Sequence, residues 1–227
     1  DDHLDLVHTG HDFLYGSVLD ELFVGGAGDN FISGGGGSDT VMYMLLSRGV
    51  NIDLATTLTT GQNTAVAVVT DTGIDTLVSI SNIAGTNFDD VILGNELDNE
   101  LDGGNGNDVL NGRQGNDMLY GWNGADTFVF DTALGSNNVD KIFSFESVDD
   151  TIRLSSAIFG SLSVGPISVE NLCIGQVALD SNDYIIYNQT TGALTYDADG
   201  NGAGAAVQFA TLLDKPLIGV SDFVVVN

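Results

Sequence analysis

Glycine, acidic and large apolar residues recur along this chain with a period of nine residues. From Gly85 the sequence divides without gaps into five units of nine, and four more units in the same arrangement begin at Val7. In every unit position six is an acid or its amide, and position eight is a large apolar residue. The position-six residues are Asp12, Glu21, Asn30, Asp39, Asp90, Asn99, Asp108, Asp117 and Asp126.

One unit predicts a glycine-rich turn of six residues followed by a strand of three. Glycine supplies positive φ, and Asp bonds the local backbone in turns. Because strand side chains alternate between faces, only position eight points inward. Two units then make one coil with a strand on each side, and successive coils stack as parallel strands. The sequence therefore predicts an all-β protein, a parallel β-roll over residues 1–130 with repeats at 7–42 and 85–129. Two separate rolls are the alternative to a continuous one.

The charge is strongly one-sided, with 32 acidic and 5 basic side chains and a formal net charge of −27. This charge argues against binding to nucleic acid or to anionic lipid. No apolar run approaches the ~20 residues that span a bilayer, so no membrane-spanning segment is expected. The single cysteine, Cys173, excludes an internal disulfide framework. Most of the carboxylates must stay solvated, repel one another or meet an external cation.

Stacking the coils places equivalent turns beside one another, so units two apart become neighbours. The expected pairs are Asp90 with Asp108, Asp108 with Asp126, Asn99 with Asp117, Asp12 with Asn30, and Glu21 with Asp39. Strands lie ~4.8 Å apart and Ca²⁺–oxygen bonds run ~2.3–2.6 Å, so an ion between two turns reaches oxygens of both.

Calcium is therefore the predicted cofactor, held by the position-six side chains and by turn carbonyl groups. The alternative is that these turns bind no metal, but the rows of like charges would then repel one another. The first block is expected to be weaker, because the turn at 16–21 lacks the glycines that follow the first one in a full repeat, and Asn30 carries no charge. The glycines expected to present carbonyl groups are Gly35, Gly37, Gly104 and Gly106.

These units resemble the RTX (repeats-in-toxin) nonapeptide, G-G-x-G-x-D-x-U-x, in which U is a large apolar residue. Residues 34–42 and 103–111 match it in full, while Arg113 and Trp122 replace the second glycine in later units. The resemblance implies a calcium-binding module of a larger bacterial protein that folds outside the cell. It also implies export by a type I secretion apparatus.

The resemblance extends past the repeats. Residues 125–159 are similar to the segment that follows the last repeat in serralysin-type proteins, and residues 221–227 resemble a type I secretion terminus. An edge strand is the alternative interpretation of that ending. The chain also opens in repeat-adjacent sequence without an initiator Met or a signal peptide, which suggests a C-terminal portion.

Residues 43–84 interrupt the pattern. Strands with Val50 and Ile83 inward are expected there without ions, because Arg48 and Ser81 occupy position six. Residues 61–75 are expected to form an outward loop. Residues 131–227 predict a non-repetitive β region that caps the roll, with a hairpin turning at 191–192 and a short helix near 155–159.

Other chemistry has weaker support. Asp197, Asp199 and Asn201 resemble the start of an EF-hand loop, but position twelve is Gln208, so a hairpin turn is favoured. His3, His8 and His11 are expected to be exposed turn residues rather than a zinc site. No enzyme activity is predicted. An adhesion or polysaccharide-binding module of an extracellular enzyme, such as an alginate epimerase or a serralysin-type protease, is the second hypothesis. Its contacts with an extracellular glycan would come from the 61–75 loop or from Tyr15, Tyr120 and Trp122.

Overall fold

The computed structural model describes residues 4–6, 10–55, 64–69 and 73–227 of the chain. Apart from two 3-10 turns, Val169–Asn171 and Val220–Asp222, the regular structure over these ranges is β-strand. In chain order the strands are β1 (Leu4–Leu6), β2 (Phe13–Tyr15), β3 (Leu22–Val24), β4 (Phe31–Ser33), β5 (Thr40–Met42), β6 (Val50–Asp53), β7 (Thr64–Val69), β8 (Gly73–Val78), β9 (Asn82–Ala84), β10 (Val91–Leu93), β11 (Glu100–Asp102), β12 (Val109–Asn111), β13 (Met118–Tyr120), β14 (Thr127–Phe130), β15 (Asp140–Phe143), β16 (Thr151–Ser155), β17 (Gly165–Pro166), β18 (Leu172–Ile174), β19 (Ile185–Asn188), β20 (Ala193–Tyr196), β21 (Val207–Leu212) and β22 (Phe223–Val226).

Two eleven-stranded sheets form the walls of the roll. The first has the order β1-β3-β5-β9-β11-β13-β15-β21-β20-β19-β18, and the second has the order β17-β22-β16-β14-β12-β10-β6-β7-β8-β4-β2. Within the repeats, successive strands of one sheet pair in parallel with a register of eighteen residues, as Leu101 does with Leu119 and Ile92 with Leu110. The predicted all-β parallel roll is confirmed.

Within the repeats, the core is a column of position-eight side chains between the two sheets. Ile92, Leu101, Leu110, Leu119 and Phe128 all have no exposed surface, and their strand neighbours are partly exposed in most cases. Because the strands hold only three residues, one side chain from each reaches the interior. Position eight is therefore the inward position, as the repeat pattern predicts.

The described residues between 43 and 84, namely 43–55, 64–69 and 73–84, remain within the roll, because both sheets run continuously across them. Ile83 pairs with Val41 and is buried, as predicted. Val50 is also buried, but Ile52 rather than Val50 aligns with Ile92, so the repeat frame is shifted here by two residues. β6 has four residues and pairs on its other side with the inserted strand β7.

The predicted outward loop at 61–75 is wrong for the residues that the structure describes. Residues 64–69 and 73–75 belong to β7 and β8, an antiparallel pair inserted in the second sheet between β6 and β4. The run Thr64–Val69 alternates small and β-branched residues, which fit a pleated sheet. Residues 61–63 and 70–72 of the predicted loop lie outside the described ranges.

The C-terminal region extends both sheets. In the first sheet β15 lies parallel to β13 and is followed by β21. In the second sheet β16 lies parallel to β14 and is followed by β22. The hairpin at 191–192 is confirmed, since β19 and β20 are antiparallel and Gly192 has a φ of 83°. The expected helix at 155–159 is wrong, because those residues leave β16 in a single turn closed by the Phe159 N–H and the Ser155 carbonyl at 2.8 Å.

Candidate metal sites in the glycine turns

The position-six side chains form two rows, one along each edge of the roll. In each row the backbone N–H at position six donates to the Oδ1 atom of the position-six side chain eighteen residues later. The N–H of Asp90 meets Asp108 at 2.8 Å, and that of Asp108 meets Asp126 at 2.9 Å. The remaining pairs are Asn99 with Asp117 at 2.7 Å, Glu21 with Asp39 at 2.8 Å, and Asp12 with Asn30 at 3.1 Å. All five pairs predicted from the repeat are thus neighbours.

The second carboxylate oxygen of several of these residues is buried without a donor. Within the described residues, the Oδ2 atoms of Asp39, Asp108, Asp117 and Asp126 have no hydrogen-bond partner, and all four residues are fully buried. The Oδ2 atom of Asp12 shares this property. Burying an ionised carboxylate without a counter-charge is very costly, so each such oxygen marks a place where a cation would stabilise the fold.

Burial raises the pKa of these carboxyl groups. The pKa of Asp108 rises to about 7, first through burial and then through the charges of Asp90 and Asp126. Burial likewise raises the pKa of Asp117 and of Asp126 to about 7, and that of Asp39 to about 6. Without a cation, Asp108, Asp117 and Asp126 are therefore partly protonated near neutral pH, and a cation would displace those protons.

The glycines bring neighbouring turns into contact and leave no space for side chains. Gly104 and Gly106 have φ values of 93° and 132°, which favour glycine. A Cβ at Gly104 would collide with the Thr86 carbonyl oxygen, and one at Gly106 would collide with the Phe88 backbone. Gly35 and Gly37 have the same conformation and contact Ser17 and Leu19. Carbonyl groups of one turn therefore lie directly beside the next.

These donors fit calcium better than a transition metal. No group of three or more His, Cys, Asp or Glu side chains comes together in the described part of the chain. An ion held here would take one or two carboxylates and complete its shell with backbone carbonyl oxygens. Calcium accepts six to eight oxygen ligands of this mixed kind, whereas zinc and iron sites use clusters of His and Cys.

Three position-six residues already have donors from their own turn. The Thr86 N–H donates to Asp90 Oδ2 at 2.6 Å, and the Asn95 N–H donates to Asn99 Oδ1 at 2.9 Å. The Ser17 N–H donates to Glu21 Oε2 at 3.0 Å. Asn30 is also satisfied, because its side-chain amide donates to Asp75 Oδ1 at 2.8 Å. The predicted ligands are therefore not equivalent.

Three acids in the same rows were missed by the repeat pattern. Asp75 accepts the N–H of Asn30 at 3.0 Å, Asp140 accepts that of Asp117 at 3.1 Å, and Asp150 accepts that of Asp126 at 2.9 Å. All three are buried. Each is followed two residues later by an inward apolar residue, Leu77, Ile142 or Ile152. Searching for this Asp-x-apolar signal without a fixed period would have found them.

The other sequence candidates do not form sites of their own. His11 is exposed and lies beside Asp29, and His3 and His8 are outside the described residues. Asp197, Asp199 and Asn201 lie in the connection between the antiparallel strands β20 and β21, as a hairpin turn requires. Gln208 belongs to β21, where its amide donates to Thr211. No helix in the described ranges is long and apolar enough to cross a membrane.

Comparison with known proteins supports this description. The model of the RTX calcium-binding nonapeptide repeat matches residues 15–43 and 93–128, in four copies. The AlgE6R3 subunit of the Azotobacter vinelandii mannuronan C5-epimerase has 17% identity and a TM-score of 0.33, over 96% of this chain and 80% of that one. The extracellular lipase LipA of Serratia marcescens has 17% identity and a TM-score of 0.29, over 100% of this chain and 40% of the lipase.

The TM-scores of both structures are too low for either one to indicate the function of this chain. The search of curated proteins found no match. The assignment depends instead on the repeats, whose period, inward residues and paired turns agree with the matched family. The chain therefore contains RTX calcium-binding nonapeptide repeats, matched at residues 15–43 and 93–128.

Proposed function

We propose that this chain is the calcium-binding module of a larger exported protein, and that it folds when it meets calcium outside the cell. The observation that carries the proposal is the set of buried, unpartnered Oδ2 atoms at Asp39, Asp108, Asp117 and Asp126. Five basic side chains cannot neutralise 32 acids. A cation that binds the folded rows but not the unfolded chain stabilises the fold by mass action.

The proposed export by a type I apparatus is supported by the position of the last strand. β22 lies between β16 and β17, and Phe223 and Val225 are buried. A transporter that recognises residues 221–227 therefore needs the chain unfolded. A cytoplasm low in calcium would keep it so, and extracellular calcium modules bind at roughly 10⁻⁴–10⁻³ M, which suits a switch across the cell envelope.

The proposal gives this stretch a structural role and no catalytic step. Its buried carboxylates occupy equivalent places in successive coils, which suits repeated ion binding better than a single acid–base pair. Cys173 is buried, and burial raises its thiol pKa, whereas a reactive thiol has a lowered pKa and is accessible.

Circular dichroism in chelator and in millimolar calcium tests the proposal. We expect strong β signal in calcium and a largely unfolded spectrum in chelator, with magnesium at equal ionic strength as the control. Magnesium demands tighter octahedral geometry and keeps its waters, so it should fold the chain poorly. Equal β content in chelator and in calcium would contradict the proposal.

A second candidate function is binding of a neutral glycan on the outer face near Trp122. Trp122 is 47% exposed and stacks on Tyr120, which in turn stacks on Phe143 with ring centroids 4.2 Å apart. A cleft of about 340 Å³ beside it is lined by three asparagines, Asn87, Asn105 and Asn123. Aromatic faces and amide side chains suit sugar rings and hydroxyls. The net charge of −27 disfavours an acidic polymer.

A glycan array on the calcium-loaded protein, with W122G as the matched variant, tests this second function. The variant removes the ring but restores the glycine of the repeat consensus, so calcium binding should be unchanged. We expect a neutral glycan to bind the wild type and to bind W122G at least tenfold less. Absence of array binding, or equal binding by both proteins, would reject it.

A further inference from the structure

The six-residue turns before the repeat strands fall into two classes that differ in sequence and in backbone conformation. We call a turn open when position two is left-handed and position four is glycine, as in 34–39, 103–108, 112–117 and 121–126. Position two has φ values of 97° at Gly35, 93° at Gly104, 71° at Arg113 and 68° at Trp122. We call the turns 16–21, 85–90 and 94–99 closed. Closed turns carry Ser, Thr or Asn at position two and Leu or Phe at position four.

The two classes satisfy the position-six side chain differently. In each closed turn the N–H at position two donates to that side chain, from Ser17 to Glu21, from Thr86 to Asp90 and from Asn95 to Asn99. In each open turn the corresponding oxygen is buried and unpartnered. Reversing the sign of φ at position two reorients the peptide N–H relative to the rest of the turn, which removes this donor.

We propose that position two decides which turns bind calcium: the open turns at Asp39, Asp108, Asp117 and Asp126 hold the ions, and the closed turns replace an ion with their own N–H. This inference rests on the proposed calcium-dependent function and deepens it. It assigns Glu21, Asp90 and Asn99 to the frame of the roll rather than to ion-binding carboxylates. Turn 25–30 belongs to neither class, because it has glycine at position four but no left-handed residue at position two, and the Asn30 amide donates to Asp75.

Each closed turn supports an open turn stacked on it eighteen residues later. The aspartate at position five of the closed turn accepts the N–H at position five of the open one, at 2.7 Å from Ser38 to Asp20 and 2.8 Å from Asn107 to Asp89. In the same way, the N–H of Asn116 donates to Asp98 Oδ1 at 2.8 Å. Each closed turn is thus held by hydrogen bonds alone, whereas the open turn eighteen residues later requires the ion.

At Arg113 and Trp122 the backbone conformation of position two and the repeat consensus give different predictions for calcium binding. Both replace the consensus glycine, yet both are left-handed and both leave the position-six oxygen unpartnered. The guanidinium of Arg113 reaches back to Asp53, at 2.7 and 2.9 Å, and to the Gly94 carbonyl at 2.9 Å. These contacts hold the residue in place, so the turns at Asp117 and Asp126 are assigned ions despite the missing glycine.

Calcium stoichiometry of two matched variants of the full chain, D108N and D90N, tests the inference. Both replace a buried position-six Asp of the same row by its amide. We expect D108N to bind at least one calcium ion fewer than the wild type at saturation, measured by isothermal titration and native mass spectrometry. D90N should bind the wild-type number, although its fold should be weaker because Asp90 accepts N–H groups on both oxygens.

A turn replacement covers the case in which one variant does not fold. The double variant T86G/F88G gives turn 85–90 the glycines of turn 103–108 and keeps its Asp at position six, and it adds no side-chain atoms that could collide with a neighbouring turn. We expect it to fold in calcium and to bind at least one ion more than the wild type, because its position two can become left-handed. Equal loss of calcium by D90N and D108N, or an unchanged number of ions in the double variant, would overturn the inference. Absence of calcium binding by the wild type would instead contradict the proposed function itself.

Discussion

At the scale of single residues, Asp75 shows how a protein donor satisfies a carboxylate of these rows. Its Oδ2 atom accepts the hydroxyl of Tyr43 at 2.9 Å, and its Oδ1 atom accepts the side-chain amide of Asn30 at 2.8 Å. Tyr43 and Asp75 have no exposed surface. The burial of Tyr43 and then the charge of Asp75 raise the pKa of the Tyr43 hydroxyl well above its ordinary value, since both disfavour a phenolate. The junction between the two repeat blocks is therefore held by hydrogen bonds.

The variant Y43F tests this contact. Removing the hydroxyl leaves Asp75 Oδ2 buried without its donor, which should lower the free energy of unfolding by about 1–3 kcal/mol. Urea denaturation at saturating calcium measures the loss. Y15F is the control, because Tyr15 is exposed and should change stability by less than about 0.5 kcal/mol. Equal stability of Y43F and Y15F would show that the hydroxyl contributes nothing.

The raised carboxyl pKa values predict how acidity affects the calcium-free protein. A carboxyl whose folded pKa lies above its unfolded value of about 3.9 stabilises the fold below that value. This stabilisation is lost as the pH rises through the folded pKa, here about 7 for Asp108, Asp117 and Asp126. We therefore expect calcium-depleted protein to show more β signal by circular dichroism at about pH 5.5 than at about pH 7.5.

Calcium should reverse this dependence. The ion binds the ionised carboxylates, so protons compete with it and the calcium midpoint should rise as the pH falls below about 7. Titrations of β signal against calcium at the same two pH values measure the midpoint. A midpoint that does not change with pH would show that these carboxyl groups release no protons when the ion binds.

At the scale of elements, each strand contributes little by itself because it holds few residues and one inward side chain. The stability of the roll therefore comes from the column of position-eight residues and from the turns that align the strands. β7 and β8 differ from the three-residue strands of the repeats, since they are six residues long and pair with each other over their whole length. Such a hairpin brings its own backbone hydrogen bonds and needs no repeat period.

The variant L110A tests the contribution of one position-eight side chain. Leu110 is fully buried in the core column, and truncation of a buried leucine costs about 2–5 kcal/mol. We expect a loss in that range in calcium, measured by denaturant unfolding. L97A is the matched control, because Leu97 is more than half exposed in a turn. A loss from L97A as large as that from L110A would argue against a single inward column.

At the scale of the whole molecule, charge and packing oppose each other. The chain carries −27 charges, and self-repulsion of this size favours expanded states. The core of the repeats is only one side chain wide, so its packing is weak. The folded state therefore requires that the charge of the acidic turns be neutralised. Removing calcium therefore affects every coil with an open turn, so unfolding should spread along both edges of the roll.

Small-angle scattering tests this expectation. A compact chain of 227 residues has a radius of gyration of about 17 Å, and an unfolded chain of that length has one of about 52 Å. We expect chelator to move the measured value most of the way toward the larger figure at low salt. Added sodium chloride should reduce the expansion by screening, without restoring the folded curve. An unchanged radius in chelator would show that charge does not govern the compact state.

The sequence by itself determined the features that repeat locally: the turn and strand of each unit, the inward position-eight residues and the pairing of turns eighteen residues apart. These depend on neighbouring residues and on the alternation of side chains, which the period of nine records directly. The tertiary structure alone decided where the period is broken. It inserted β7 and β8 into the second sheet, placed Asp75 beside Asn30 across 45 residues, and added Asp140 and Asp150 to the rows. It also gave Arg113 and Trp122 the left-handed backbone of the glycine turns, which the identity of these two residues does not indicate.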